Sequence, residues 1–199
     1  IKAIRVAVAA SEGAFVLSGA GEDGHGAPIH VAAERRHLSV MLCDLVGSTA
    51  LSARLDPEDL RSVMDAYYVA CSQICQKYDG FTARFRGDGI LAYFGYPRAH
   101  EDDAERAVRA GLESIQAVDA LKSGAPLQTR VGIATGLVVV GDLIGLGEAR
   151  GHGVVGETPA LAARLQAIAA PNTVVIAEST RRLLGNLFDL EDLGATHIK

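Results

Sequence analysis

From Leu60 to Tyr78, apolar residues recur three and four apart: Leu60, Val63, Met64, Tyr67, Cys71, Ile74, Cys75 and Tyr78. That spacing predicts one long amphipathic helix, whose single apolar stripe must be buried against a sheet or a second helix. The flanking sequence supplies the sheet. Leu38-Ser39-Val40-Met41-Leu42-Cys43, within 37–45, reads as a buried strand with Asp44 at its C-terminal end. Asp79-Gly80 stops the helix, and residues 81–85 and 90–94 read as a hairpin turning through Arg86-Gly87-Asp88-Gly89. A second amphipathic helix is expected over 100–121, with Ala104, Val108, Leu112, Ile115 and Val118 inward. Strands over 127–135 and 137–142 follow, then a Gly-rich loop over 145–153. A helix over 157–168, a strand over 173–176 and a short helix over 178–184 close the pattern.

Strand, helix, hairpin, helix, strand is the order of an α+β fold: a ferredoxin-like βαββαβ sheet with helices on one face, plus appended C-terminal strand and helix elements. Residues 1–34 lack periodicity after a short apolar start and read as a linker or N-terminal arm, leaving 35–199 as the folded domain. Hydrophobic residues make up 49% of the chain, enough for a core and incompatible with bulk disorder. The 19 Lys+Arg against 24 Asp+Glu give a net charge of −5, the wrong sign for a partner that is a nucleic-acid polymer. No run approaches the ~20 apolar residues of a membrane span, so no membrane insertion is expected within this segment. Cys43, Cys71 and Cys75 form no CxxC pair and read as buried free thiols, which suits a cytoplasmic protein.

Two acids stand out. Asp44 ends the first strand and Asp88 occupies the hairpin tip, positions that an antiparallel sheet can bring side by side. Mg²⁺ is commonly held by one or two carboxylates with substrate phosphate completing its shell. After Asp44, the amides of residues 45–49 (through Gly47, Ser48 and Thr49) lead into a helix N-terminus, with Gly for the turn and Ser or Thr for the cap. Taken singly these residues have plainer readings, since an Asp before a turn is often a cap and Gly-Asp-Gly is a turn signature. A receiver domain phosphorylated on Asp44 is disfavoured, because such folds need a parallel βα repeat rather than a hairpin. His100-Glu101-Asp102-Asp103 reads as acids placed at a helix start rather than as a metal cluster.

Cys43-Asp44-Leu45-Val46-Gly47-Ser48-Thr49, Gly87-Asp88-Gly89-Ile90-Leu91-Ala92-Tyr93-Phe94-Gly95-Tyr96-Pro97, and Val155-Gly156-Glu157-Thr158 up to Ala162-Ala163-Arg164-Leu165 together resemble the class III nucleotidyl cyclase catalytic domain. The likeness is greatest to the bacterial branch related to soluble, bicarbonate-responsive adenylyl cyclases. It covers about 35–199 with the motifs in order. The resemblance implies conversion of ATP to 3′,5′-cyclic AMP and pyrophosphate by a homodimer whose sites lie across the interface. It also implies two ions, Mg²⁺ or Mn²⁺, on Asp44, Asp88 and the Leu45 backbone carbonyl. Arg164 matches the arginine that stabilises charge developing on phosphate, and Lys199 falls near a lysine that reaches the triphosphate.

Three positions depart from the pattern. Arg84 stands where an adenine-reading lysine is usual, and Arg is a planar, forked donor rather than a point charge. Gly153 falls at the second base-reading position, and Ala160 replaces the Asn that orients the ribose. The resemblance therefore implies an adenylate cyclase weakened by Arg84 and Ala160, with GTP as a possible second substrate. The alternative is a degenerate cyclase domain that binds nucleotide or dimerises as a regulatory module.

Overall fold

The computed structural model of the chain describes residues 4–9, 34–84, 89–121, 123, 126–143 and 151–196, by backbone alone at 4–9, 84, 141–143, 151–153 and 195–196. Strand β2 (Glu34–Leu45) leads through the short helix α1 (Ser48–Ser52) into α2 (Pro57–Lys77), which returns as β3 (Phe81–Arg84). Strand β4 (Ile90–Phe94), helix α3 (Asp103–Asp119) and strand β5 (Thr129–Leu143) repeat that path. Outside this core lie β1 (Ile4–Ala9), β6 (Gly151–Val155), α4 (Glu157–Ile168), β7 (Thr173–Ala177), α5 (Glu178–Leu184) and β8 (Leu190–Thr196). The sheet order is β3-β4-β2-β5-β7-β1-β8, with β6 paired to β5. The first four strands are antiparallel neighbours, β2 lying between β4 and β5. This is the expected ferredoxin-like α+β core with appended elements.

Strand β2 is buried from both sides. Met41, Cys43 and Leu45 face a core shared with Tyr67, Cys71 and Cys75 of α2 and with Val108 and Ile115 of α3. Leu38 and Val40 face a second core with Ala162 and Leu165 of α4. The two crossover helices thus share one face, as expected, while the appended α4 covers the other. Pro57 opens α2 at its first turn, behind Asp56 at the N-cap, whose side chain makes no capping hydrogen bond. At the far end Asp79, with φ 57°, takes the left-handed position. Gly80 meets a different constraint, since a Cβ there would lie 2.7 Å from the Phe94 ring.

Several sequence expectations are corrected. Residues 127–135 and 137–142 are not two strands. Fifteen residues of β5 run unbroken through Gly136, paired with β2 from Glu34↔Val140 to Leu45↔Thr129. Gly136 serves close packing rather than a turn, since a Cβ there would sit 2.7 Å from Thr158 Oγ1. The expected Gly-rich loop over 145–153 contributes Gly151–Gly153 to β6, which pairs antiparallel with Val139–Leu143. The expected linker or arm contains β1, parallel to both β7 and β8. Strand β8 escaped notice because it is polar and half-exposed, with Glu191, Asp192 and Gly194 hiding any alternation.

Gly132 makes the tightest seat in the fold. A Cβ on it would meet the Ala162 carbonyl and the Gln166 backbone nitrogen, so α4 rests directly on the β5 backbone. Gly132→Ala forces the helix off the sheet. Overpacking of this kind costs about 1–3 kcal/mol, so chemical denaturation should show a lowered midpoint. An unchanged midpoint would contradict this packing.

Candidate active site

Asp44 is the penultimate residue of β2 and shares a face with Leu38, Val40 and α4. It is half-buried and lies directly across the ladder from Arg130 of β5. The Gln166 side chain of α4 donates from Nε2 to Asp44 Oδ2 at 3.3 Å. On the opposite face the preceding residue is also held: Tyr67 Oη donates to the Cys43 carbonyl at 3.2 Å and lies 3.5 Å from Cys43 Sγ. The strand end that presents Asp44 is therefore gripped from above by α4 and from below by α2.

Those lower contacts lie deep in the hydrophobic core. Burial pushes the Tyr67 phenol up, and the Cys75 thiol up to about 12. Cys71 rises chiefly through its hydrogen bond with Cys43, with burial adding to it. All three cysteines are free and buried, as expected. Tyr67, Cys71 and Cys75 are thereby held in their neutral forms, and for a cysteine the thiolate is the reactive form. The native protein should therefore resist iodoacetamide at pH 8 and label at all three cysteines once unfolded in guanidinium; rapid labelling of the native protein would contradict this.

The turn after Asp44 is fixed by the backbone. The Val46 amide donates to the Gln128 carbonyl at 2.8 Å, and Gly47 adopts φ 72°. In an antiparallel ladder, alternate residues bond to opposite neighbours. Val46 and Asp44 therefore bond toward β5, and the Leu45 carbonyl points to the other side, beyond the last β2–β4 pair, Cys43↔Ile90. The expected Ser or Thr cap is corrected: Gly47 is the N-cap of the five-residue α1, with no side-chain capping bond. Ser48 is half-buried, and Gly47 and Thr49 are exposed. Because the Val46 amide is already bonded to Gln128, the expected run of free amides from 45 to 49 is shortened.

Asp88 and Lys199 lie outside the described residues; Ile90, two residues beyond Asp88, is the partner of Cys43. Arg84 ends β3 opposite Ile90, and Gly153 sits in β6 opposite Gly141. Ala160 and Arg164 are half-buried, one turn apart on α4. Thr158, Ala162, Leu165 and Gln166 form the buried stripe of that helix. At 100° per residue, Arg164 lies about 200° around the helix from Gln166. One chain therefore directs Gln166 to Asp44 and turns Arg164 away from it.

Two residues went unremarked in the sequence. The half-buried Arg130 faces Asp44 with a buried Nε that has no hydrogen-bond partner. Its signal, a charge at the head of an apolar run, gains meaning only once the ladder partner is known. Gln166 is 9% exposed, a polar interruption of an apolar helical stripe. The acids at the α3 start have local partners: Asp103 accepts from the His100 amide at 2.8 Å, and Asp102 from Arg106. A cavity of about 320 Å³ lies elsewhere, among Gln76, Phe81, Tyr96 and His100.

Asp44 and the Leu45 carbonyl thus stand beside a glycine turn at one end of a ferredoxin-like sheet, with α4 carrying Arg164 across its face. Residues 31–199 match the model for the adenylate and guanylate cyclase catalytic domain, and the chain belongs to that family. It is 38% identical over 169 residues to the uncharacterized protein R02095 of Rhizobium meliloti (strain 1021), covering 83% of this chain and 16% of that protein. The chain thus spans about a sixth of that relative's length. Among solved structures, the guanylyl cyclase Cya2 superposes with TM-score 0.73 at 32% identity, over 77% of this chain and 81% of that one. The adenylyl cyclase CyaB from P. aeruginosa gives 0.70 at 28%, over 78% and 83%. The domain is accordingly a class III nucleotidyl cyclase domain, with structural neighbours among bacterial and fungal cyclases. Such domains generally use two divalent ions and a nucleotide substrate, and dimerisation is typical of them. Among the described residues no helix is long and apolar enough to cross a membrane.

Proposed function

We propose that this domain converts ATP to 3′,5′-cyclic AMP and pyrophosphate, at sites completed across a homodimer in the cytoplasm. Within that reading, residues 35–199 are the catalytic domain, 1–34 form an arm that lends β1 to its sheet, and the kinship is with the soluble, bicarbonate-responsive branch. The ribose 3′-oxygen forms a bond to the α-phosphorus, the bond to the bridging oxygen of the β-phosphate breaks, and the hydroxyl proton passes to solvent. The observation that carries the reading is the division of labour on α4. Asp44 is gripped from the sheet side of this helix, while Arg164 points outward, where a second chain can use it.

Mg²⁺ or Mn²⁺, two ions per site, would be held by Asp44, the Leu45 carbonyl and Asp88, and would supply acidification of the 3′-hydroxyl and neutralisation of the departing charge. These are hard oxygen donors of the kind such ions prefer. Arg130, with its unpartnered Nε across from Asp44, is suited to phosphate oxygens, as are the turn residues Gly47, Ser48 and Thr49 together with Lys199. Arg84 and Gly153 read the base, and their departure from the usual pattern admits GTP. A second reading, a degenerate domain serving as a nucleotide-binding or dimerising module, is favoured by Ala160, which has no group to orient the ribose.

The deciding assay offers ATP and GTP with Mg²⁺ or Mn²⁺ to the dimer. Cyclic AMP should form, and Asp44→Ala should lower the rate by roughly 10²-fold or more, as loss of a major electrostatic contributor does. Absence of product, with activity appearing in Ala160→Asn, would favour the regulatory module.

The β5–β6 ribbon supports dimerisation: Leu137 is 60% exposed, and the paired Val139 and Val155 are 36% and 55% exposed, forming an apolar face. Leu137→Asp should shift sedimentation toward monomer and depress turnover in parallel. A dimer of unchanged affinity would remove this ribbon from the interface.

A further inference from the structure

We propose that Gln166 is a positioning residue for Asp44, setting the carboxylate's orientation before a divalent cation arrives; this rests on reading Asp44 as a cation ligand. An ionised carboxylate only accepts hydrogen bonds, so the group that faces Asp44 Oδ2 at 3.3 Å must be the amide nitrogen of Gln166. The main chain at Gln166 is itself located by Gly132, since its backbone nitrogen occupies the space a Cβ would take. Gly132 pairs with Leu42, two residues before Asp44 on the same face of β2. From that seat the glutamine side chain crosses from β5 to the neighbouring strand and ends on the acid. Only 9% of the residue is exposed, so water competes weakly for the bond.

A neutral amide suits this role. It fixes the acid through a hydrogen bond without adding a positive charge that would repel the cation. Partners of this kind behind a metal ligand typically contribute 10–100-fold in metal affinity or activity. A glutamine that merely filled space on α4 would contribute to stability and leave cation affinity unchanged.

The experiment measures Mn²⁺ binding without turnover, from the electron paramagnetic resonance signal of free Mn²⁺ in the presence of 3′-deoxy-ATP, which lacks the attacking hydroxyl. Wild type is compared with Gln166→Met, similar in length but without a donor, with Gln166→Asn, whose amide stops one methylene short of Asp44, and with Asp44→Asn. Thermal melts check that each variant is folded. The expected result is a Mn²⁺ dissociation constant raised about 10-fold or more in both Gln166 variants, with tight binding lost in Asp44→Asn. An affinity within twofold of wild type in either folded Gln166 variant, with Asp44→Asn still defective, overturns the role of Gln166 and leaves Asp44 as ligand. Unchanged affinity in Asp44→Asn overturns the cation reading itself and the inference with it.

Discussion

The close contact of α4 with β5 at Gly132 is the constraint on which the candidate site depends. A helix axis ordinarily stands well off a sheet, held away by side chains on both surfaces. Here one surface has none, and the Ala162 carbonyl and Gln166 nitrogen descend onto the strand backbone. The same helix is seated again at Gly136, beneath Thr158. Two seats four residues apart fix both the height and the direction of α4. Everything the helix carries, Gln166 on one side and Ala160 and Arg164 on the other, inherits its position from those two glycines.

The local physics of the chain made most of the core legible. The stripe from Leu60 to Tyr78 has a single helical solution, and Asp56-Pro57 and Asp79-Gly80 punctuate it as such residues should. What failed was the reading of glycines. Gly132 and Gly136 in an apolar run suggest turns and close approaches equally well, and a single strand carries no record of the helix that will lie on it. Gly151 and Gly153 looked like loop and proved to be strand, because pairing with β5 supplied the order that their own preferences lack. Strand β8, with its acids and a glycine, depends for its existence on β1, far away in sequence.

The site was legible to a different extent. Asp44 could be found because an acid ending a buried strand is conspicuous, and the surrounding motif gave it meaning. Arg130 and Gln166 could not be found that way. Each is an unremarkable polar residue until the sheet register and the helix seat bring it to Asp44. Register is a property of pairs of strands and a helix seat a property of packed layers, so neither is written in the residue that benefits. The outward direction of Arg164 is a case between the two: its spacing from Gln166 was always visible, but it acquires significance only when Gln166 is known to point inward.

Strand β5 joins these features in one member. Its 15 residues span roughly 50 Å at about 3.4 Å each. One end places Arg130 across from Asp44; the other leaves the helical layers and carries the exposed face of Leu137 and Val139. Gly136, the natural point for a bend, is filled by the Thr158 hydroxyl and so is braced rather than free. The two ends are therefore parts of one unbroken strand clamped beneath α4, and the same backbone that sets the cross-strand partner of Asp44 also carries the apolar ribbon.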